Sequence, residues 1–217
     1  MVCKHKDSVQ LTARLSWSNK YRYEGCDMNQ FTILNKQEIQ SILTMDMVIE
    51  AVEQAYSYKC SNLAELFPIV CHSFEDGVSE FDIKSGSMDG AGIFGMKLVS
   101  AFAGNSDLGL PRLTGTILIF DRKTGMLKSM MDGGLITNMR TGAQTAVALK
   151  YLFNHGSSQR RPIRLGIYGA GMQGHMQTRA IATLFDIEEL RIYDVSRPAL
   201  ERFQADMQDV VPGRIIK

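Results

Sequence analysis

A short alternating segment at 163–168 runs directly into Gly169-Ala170-Gly171-Met172-Gln173-Gly174. This glycine spacing, set between a strand pattern and a helix pattern, constrains the chain more than any other feature. Downstream, Met176, Ala180 and Leu184, with Ile181 and Phe185 beside them, recur at helical spacing and give the helix one apolar face. A second strand pattern at 190–193 ends in Asp194, twenty residues past Gly174. Strand, glycine turn, helix, strand and terminal acid follow in the order that opens a doubly wound parallel sheet. The chemistry suits a dinucleotide. Gly169 permits the tight turn, Gly171 lets the backbone approach a pyrophosphate, and Gly174 lets helix and strand close on each other. The free N–H groups and dipole at the helix start favour an anion. Asp194 is placed to accept from ribose hydroxyls, and its charge opposes a 2′-phosphate, which favours NAD over NADP. Arg197 keeps NADP open, unless it is simply a solvated arginine in the first turn of the next helix.

The rest of the chain divides around this unit. Residues 1–27 are polar around Trp17 and show neither helical nor strand periodicity, so they read as a disordered arm or a misassigned start, with Met28 as the alternative first residue. Residues 28–153 form a first domain and 154–217 a second. In the first, Asn35 and then Glu38 mark the start of a short helix, and Thr44 caps a longer one. Met47, Val48, Ala51, Val52, Ala55 and Tyr56 recur along that second helix as a core stripe. From 68 to 131 the period is that of strands, and the clearest hairpin is 113–120, a turn at 121–125, and 126–131. A helix rich in small residues then runs from about 135 to 153, with Ala143, Ala146 and Val147 on one side for close approach to a neighbour. A polar linker follows at 154–162, and Ile215-Ile216 looks like the start of a third parallel strand. The fold class is therefore α/β: an α+β domain followed by an incomplete Rossmann domain.

Composition excludes several partners. A net charge of +1 leaves no basic footprint for nucleic acid, and no apolar run is long enough to cross a bilayer. Cys3, Cys26, Cys60 and Cys71 form no CxxC pair and stand at no zinc-ligand spacing, which reads as reduced thiols in a cytoplasmic protein without a metal site.

Three further segments, taken with the glycine turn, are similar to the ornithine cyclodeaminase/mu-crystallin family. They are Gly95-Met96-Lys97-Leu98-Val99, then Gly109-Leu110-Pro111 leading into 114–121, and Met131-Asp132-Gly133 leading to Met139-Arg140-Thr141-Gly142-Ala143. The resemblance runs from about Met28 to the last residue. It implies a substrate and dimerisation domain, a Rossmann domain, a homodimer, and hydride chemistry at Cα of a small amino or imino acid with deamination or imine reduction. It casts Lys97 as the group that holds the substrate carboxylate or polarises its imine. A lysine among Phe94, Met96, Leu98 and Val99 also needs an anionic partner on physical grounds. The resemblance casts Arg140 as a bridge between nicotinamide and substrate; on its own terms it reads as an arginine on an exposed helix face. Met172 and Gln173 would give backbone contacts to the pyrophosphate, and Arg112 and Thr141 would lie near the cofactor.

The chain also departs from the family pattern. Where the family commonly carries a second arginine clamp, this sequence has Phe67-Pro68-Ile69-Val70-Cys71-His72. His72 or Lys84 could replace that charge, or each could be an ordinary surface residue. Arg112 stands where many members have threonine or serine. Both changes weaken the case for ornithine itself. The family's general acid/base, an aspartate in a later glycine-rich loop, is expected beyond Lys217, so the chain reads as impaired in catalysis or as a binding protein akin to mu-crystallin. An NAD-dependent enzyme and a non-catalytic binding protein are the two functions it leaves in view.

Overall fold

The helix and strand periods read above become two packed units in the computed structural model, which describes residues 31–154 and 159–217. The expectations placed on 1–27 and on Met28 lie outside the described residues. Strand β1 (Thr32–Leu34) leads into helix α1 (Lys36–Ile42), whose start is fixed by a reciprocal cap. The Asn35 side chain accepts from the amides of Gln37 and Glu38, while the Asn35 amide donates to Glu38. Thr44 caps α2 (Met45–Cys60) by accepting from the Met47 amide.

Six strands then build most of a large sheet: β2 (Ala64–Leu66), β3 (Val70–Ser73), β4 (Ser79–Met88), β5 (Ile93–Phe102), β6 (Leu113–Asp121) and β7 (Leu127–Asp132). The order is β1-β7-β6-β5-β4-β2, with β3 also paired to β4. Strands β4 to β7 form an antiparallel meander, and β1 joins the far edge parallel to β7. The expected hairpin at 113–131 is present, closed at Asp121, whose carboxylate accepts from the amides of Lys123 and Thr124.

Helix α3 (Gly134–Asn154) carries the chain to the second unit. There β8 (Pro162–Tyr168), α4 (Met172–Leu184), β9 (Asp186–Tyr193), α5 (Arg197–Met207) and β10 (Arg214–Ile216) alternate. The three strands are parallel in the order β10-β9-β8, so the stretch read as the start of a third strand is a formed one. This is the opening half of a Rossmann-type sheet.

The core sits where the two units meet. Ala143 and Ala146 of α3 are fully buried beside Ala180 and Ile181 of α4. A Cβ added at Gly142 would stand 2.5 Å from the Met176 carbonyl oxygen, so the glycine is what allows α3 and α4 to touch. The stripe read on α2 needs correction. Val48 is buried, together with Ile49, but Met47, Ala51 and Tyr56 are exposed. Helical spacing identified an apolar face without saying what it faces, and part of it borders a cavity instead of the core.

Candidate functional site

The glycine turn lies between β8 and α4. Gly169 has φ +97°, a conformation that costs a side-chain-bearing residue but not glycine. At Gly174 an added Cβ would stand 2.2 Å from the Gly169 carbonyl oxygen, so the turn could not close around any larger residue. Gly171, the N-cap of α4, has open space where its Cβ would be. An anion can therefore reach the helix N-terminus unobstructed. Asp194, at the end of β9, accepts from the Ala170 amide at 2.7 Å and the Ser196 amide at 2.8 Å. Those bonds, Ser196 first, hold its carboxyl below the usual carboxylate range. The acid thus braces the turn as an anion, and a carboxylate keeps further acceptor capacity for hydroxyl groups.

A second centre lies on the large sheet. Lys97, on β5, is half-buried, and its Nζ donates to the Thr137 hydroxyl of α3 at 3.2 Å. Burial first, then the nearby charges of Arg140 and Lys84, pushes the ammonium down to about 8, with Asp82 pulling the other way. The anionic partner that the sequence demanded is not supplied as an ion pair among the described residues. Lys84 stands directly across from Lys97 in the β4–β5 register, but it is engaged by Asp82. His72 is elsewhere, in an aromatic cluster with Phe74 and Phe81.

Helix α3 joins these centres through consecutive residues. Thr137 holds Lys97, and Asn138 accepts from the Gln173 side-chain amide of α4 at 2.9 Å. The other polar atom of Gln173, Oε1, is buried without a hydrogen-bond partner. One turn of helix therefore carries a fixed contact to the sheet lysine and another to the first turn behind the glycine loop.

Beyond Lys97 a cavity of about 440 Å³ opens between the sheet and the end of α2, with β2 along one side. Its floor includes Gly86 and Gly95, which face each other across β4 and β5 and leave two adjacent sheet positions without side chains. Ala55, Tyr56, Leu66, Ile117 and Ile119 are among its walls.

The remaining residues singled out in the sequence are spread more widely. Arg140 is exposed on α3, its guanidinium donating to Gln144 at 3.2 Å, yet it is close enough to bear on the Lys97 charge. Thr141 donates back to the Thr137 carbonyl at 2.8 Å, one turn along α3. Met172 opens α4 with an exposed side chain. Arg112 stands exposed at the entrance to β6, in the sheet unit and not in the glycine-turn unit. Sequence reasoning missed Thr137, Asn138 and His175. His175 lies within 2.9 Å of the Gly171 carbonyl through Nδ1 and 3.2 Å of Asp206 through Nε2, tying the glycine turn to α5. Its position one residue after Gly174 was the only available signal.

Residues 29–215 match the sequence model of the ornithine cyclodeaminase/mu-crystallin family. An alanine dehydrogenase of Archaeoglobus fulgidus is 33% identical over 177 residues, covering 82% of this chain and 52% of the relative. Among solved structures, an archaeal alanine dehydrogenase dimer with bound NAD superposes with TM-score 0.77 at 29% identity, covering 86% of this chain and 56% of that one. The Thermococcus litoralis Δ1-pyrroline-2-carboxylate reductase in complex with NADH and L-proline superposes with TM-score 0.76 at 28% identity, with the same coverages of 86% and 56%. The chain thus spans about half the length of these relatives.

Proposed function

The chain belongs to the ornithine cyclodeaminase/mu-crystallin family, and from that premise we propose that it carries the substrate-anchoring and cofactor-anchoring parts of an NAD-dependent oxidoreductase for a small amino or imino acid. The observation that supports this most is the α3 bridge, in which Thr137 and Asn138 tie Lys97 to the helix behind the glycine turn. Relatives that bind NAD or NADH share the fold over most of this chain.

When bound, NAD would supply the acceptor, and NADH the donor, of a hydride at Cα. The residues of this chain bind and orient. The amides of the glycine turn receive the pyrophosphate, and Asp194 receives ribose hydroxyls. Lys97 takes the substrate carboxylate. An ammonium already stripped of much of its water, and opposed by Arg140 and Lys84, gains more from an incoming anion than a solvated lysine would. Arg140 adds positive charge on the same side. The sheet face bearing Leu98 and Met130, both exposed, provides the apolar surface for a homodimer.

NADH titration of the 217-residue chain, read by nicotinamide fluorescence, tests the cofactor half. Saturable binding that is lost in Gly171→Asp supports the reading, and equal binding in that variant removes it. Sedimentation of the wild type beside Leu98→Glu tests the dimer, which requires a two-fold mass that falls to the monomer in the variant.

A further inference from the structure

The cavity beyond Lys97 says more about the substrate than the lysine does. We infer that it seats the substrate side chain and selects one that is uncharged, apolar and of branched bulk. This deepens the reading of Lys97 as the carboxylate anchor and rests on it.

Three observations carry the inference. First, the volume of about 440 Å³ is within the range of roughly 300–1,000 Å³ that small-molecule pockets occupy, and it adjoins the Lys97 side chain. A substrate held by its carboxylate at Lys97 has its side chain directed to space that a methyl group alone would leave mostly unfilled. Second, the space is kept open by composition. Gly86 and Gly95 form a cross-strand pair with no side chains, and Ala55 and Ala64 present single methyl groups. Larger residues at Ala55 or Ala64 would narrow it, whereas at Gly86 and Gly95 even a Cβ would meet strand backbone, 2.4 Å from the Glu65 carbonyl oxygen and 2.7 Å from that of Leu118. Third, the chemistry of the walls is one-sided. Leu66, Met88, Ile93, Ile117 and Ile119 offer no partner to a charged or hydrogen-bonding side chain. The charged lining is chiefly cationic, with Lys59, Lys84 and Lys97 against Glu65, so a second ammonium such as that of a diamino acid meets repulsion. A second carboxylate finds Lys84 already engaged by Asp82.

The test uses stable 2-oxo acids, which share the carboxylate and the trigonal Cα of an imino acid, titrated calorimetrically into the 217-residue chain. The probes are pyruvate, 4-methyl-2-oxopentanoate and 2-oxoglutarate. We expect 4-methyl-2-oxopentanoate to bind on the order of 10- to 60-fold more tightly than pyruvate, the upper figure being three more buried carbons at about 0.8 kcal/mol each. Ala55→Phe on α2 and Ala64→Phe on β2 each fill the cavity. Either variant that retains the wild-type melting temperature should abolish that preference while pyruvate affinity stays within about two-fold. Equal affinities for pyruvate and the branched acid in the wild type would overturn the side-chain pocket and leave the Lys97 anchor standing. Tighter binding of 2-oxoglutarate would overturn the apolar assignment in favour of a dicarboxylate read by Lys59 or Lys84. Binding of all three acids undiminished in Lys97→Met would remove the anchor, and the inference with it.

Discussion

The two units reach order by different routes. In the three-stranded unit β8 alternates strictly and β9 does so apart from one irregularity before Leu190, and Ile187, Leu190 and Ile192 are buried under α4 and α5 with Phe203, Met207 and Val211. In β2 to β7 of the large sheet the buried positions are Ser79, Ser87 and Gly115, while Leu66, Val70, Leu98 and Leu113 are exposed. The parallel unit holds its shape by burying one face. The large sheet holds its shape through its antiparallel ladder and offers its apolar residues to a cavity, to α3 and to solvent. A recognition surface is better built on the second kind of element, where side chains are not all committed to packing. The glycine turn needs the first kind, because its amides must point one way before any anion arrives.

The two units depend on one seam, so the largest effect is expected there. Gly142→Val should force α3 away from α4, since even a Cβ meets the Met176 carbonyl at 2.5 Å. Overpacking of this severity costs about 3 kcal/mol, which lowers the melting temperature of a chain this size by roughly 6–12 °C. Differential scanning calorimetry would show it. A second, separated transition in the variant would sharpen the comparison by showing that the units unfold independently once uncoupled. An unchanged melting temperature would contradict the idea that the glycine holds the seam.

The parallel unit was legible in the sequence because its signals are local. Glycine spacing, strand alternation and Asp194 fall within about thirty residues, and each constrains the next. The hairpin at 113–131 was legible for the same reason. The cavity was not. It depends on Gly86 meeting Gly95 across β4 and β5, and on which way the Tyr56 side of α2 turns, both set by register and packing between distant segments. The parallel pairing of β1 with β7, nearly a hundred residues apart, is non-local in the same way. Lys97 was visible as a lysine out of place, but its contact with Thr137 forty residues on was not. Among the described residues no ion pair engages that ammonium, whose partner at 3.2 Å is the Thr137 hydroxyl.

The next effect concerns how that charge responds to pH. Lys97 is an ammonium below about 8 and neutral above it. Affinity for a carboxylate should be flat below that value and then fall about tenfold per pH unit, the limit for loss of a single required charge. The glycine turn has no comparable transition in this range, since its anion contacts are backbone amides. NADH affinity should therefore stay level while carboxylate affinity falls. Parallel loss of both would place the titrating group in the turn.

Lys97 also costs the fold stability. Its folded-state value of about 8 lies below the ordinary 10.5, so near neutral pH the folded state carries the full penalty of a half-buried ammonium. Wild-type stability rises as pH climbs from about 8 to 10.5, where the folded state releases the proton and the unfolded chain still holds it. Discounted for solvent screening, the penalty is about 1 kcal/mol. Lys97→Met should thus raise the melting temperature at pH 7 by about 2–4 °C, with the gain shrinking by pH 10. A variant less stable than wild type at pH 7 would show that the lysine stem contributes more by packing than its charge costs.

The smallest effect tests whether the glycine turn is held only from within its own unit. His175 hydrogen-bonds the Gly171 carbonyl through Nδ1, reaches Asp206 of α5 through Nε2, and packs edge-on against Phe203 with ring centroids 4.7 Å apart. Arg179 donates to the Asp206 carbonyl at 3.1 Å and reinforces the same junction. The Gly171 carbonyl also accepts from the His175 amide at 3.1 Å, so the ring reinforces an orientation that leaves the following amides facing the anion site. Removing it in His175→Leu forfeits about 0.5–1.5 kcal/mol, or roughly a three- to tenfold loss in NADH affinity when the turn must be ordered on binding. His175→Asn keeps an amide donor near the Nδ1 position but not the reach to Asp206, and should recover most of that loss. If both variants lose affinity equally while their melting temperatures fall together, His175 acts through its packing on Phe203, and the turn is no more independent of the core than the rest of α4.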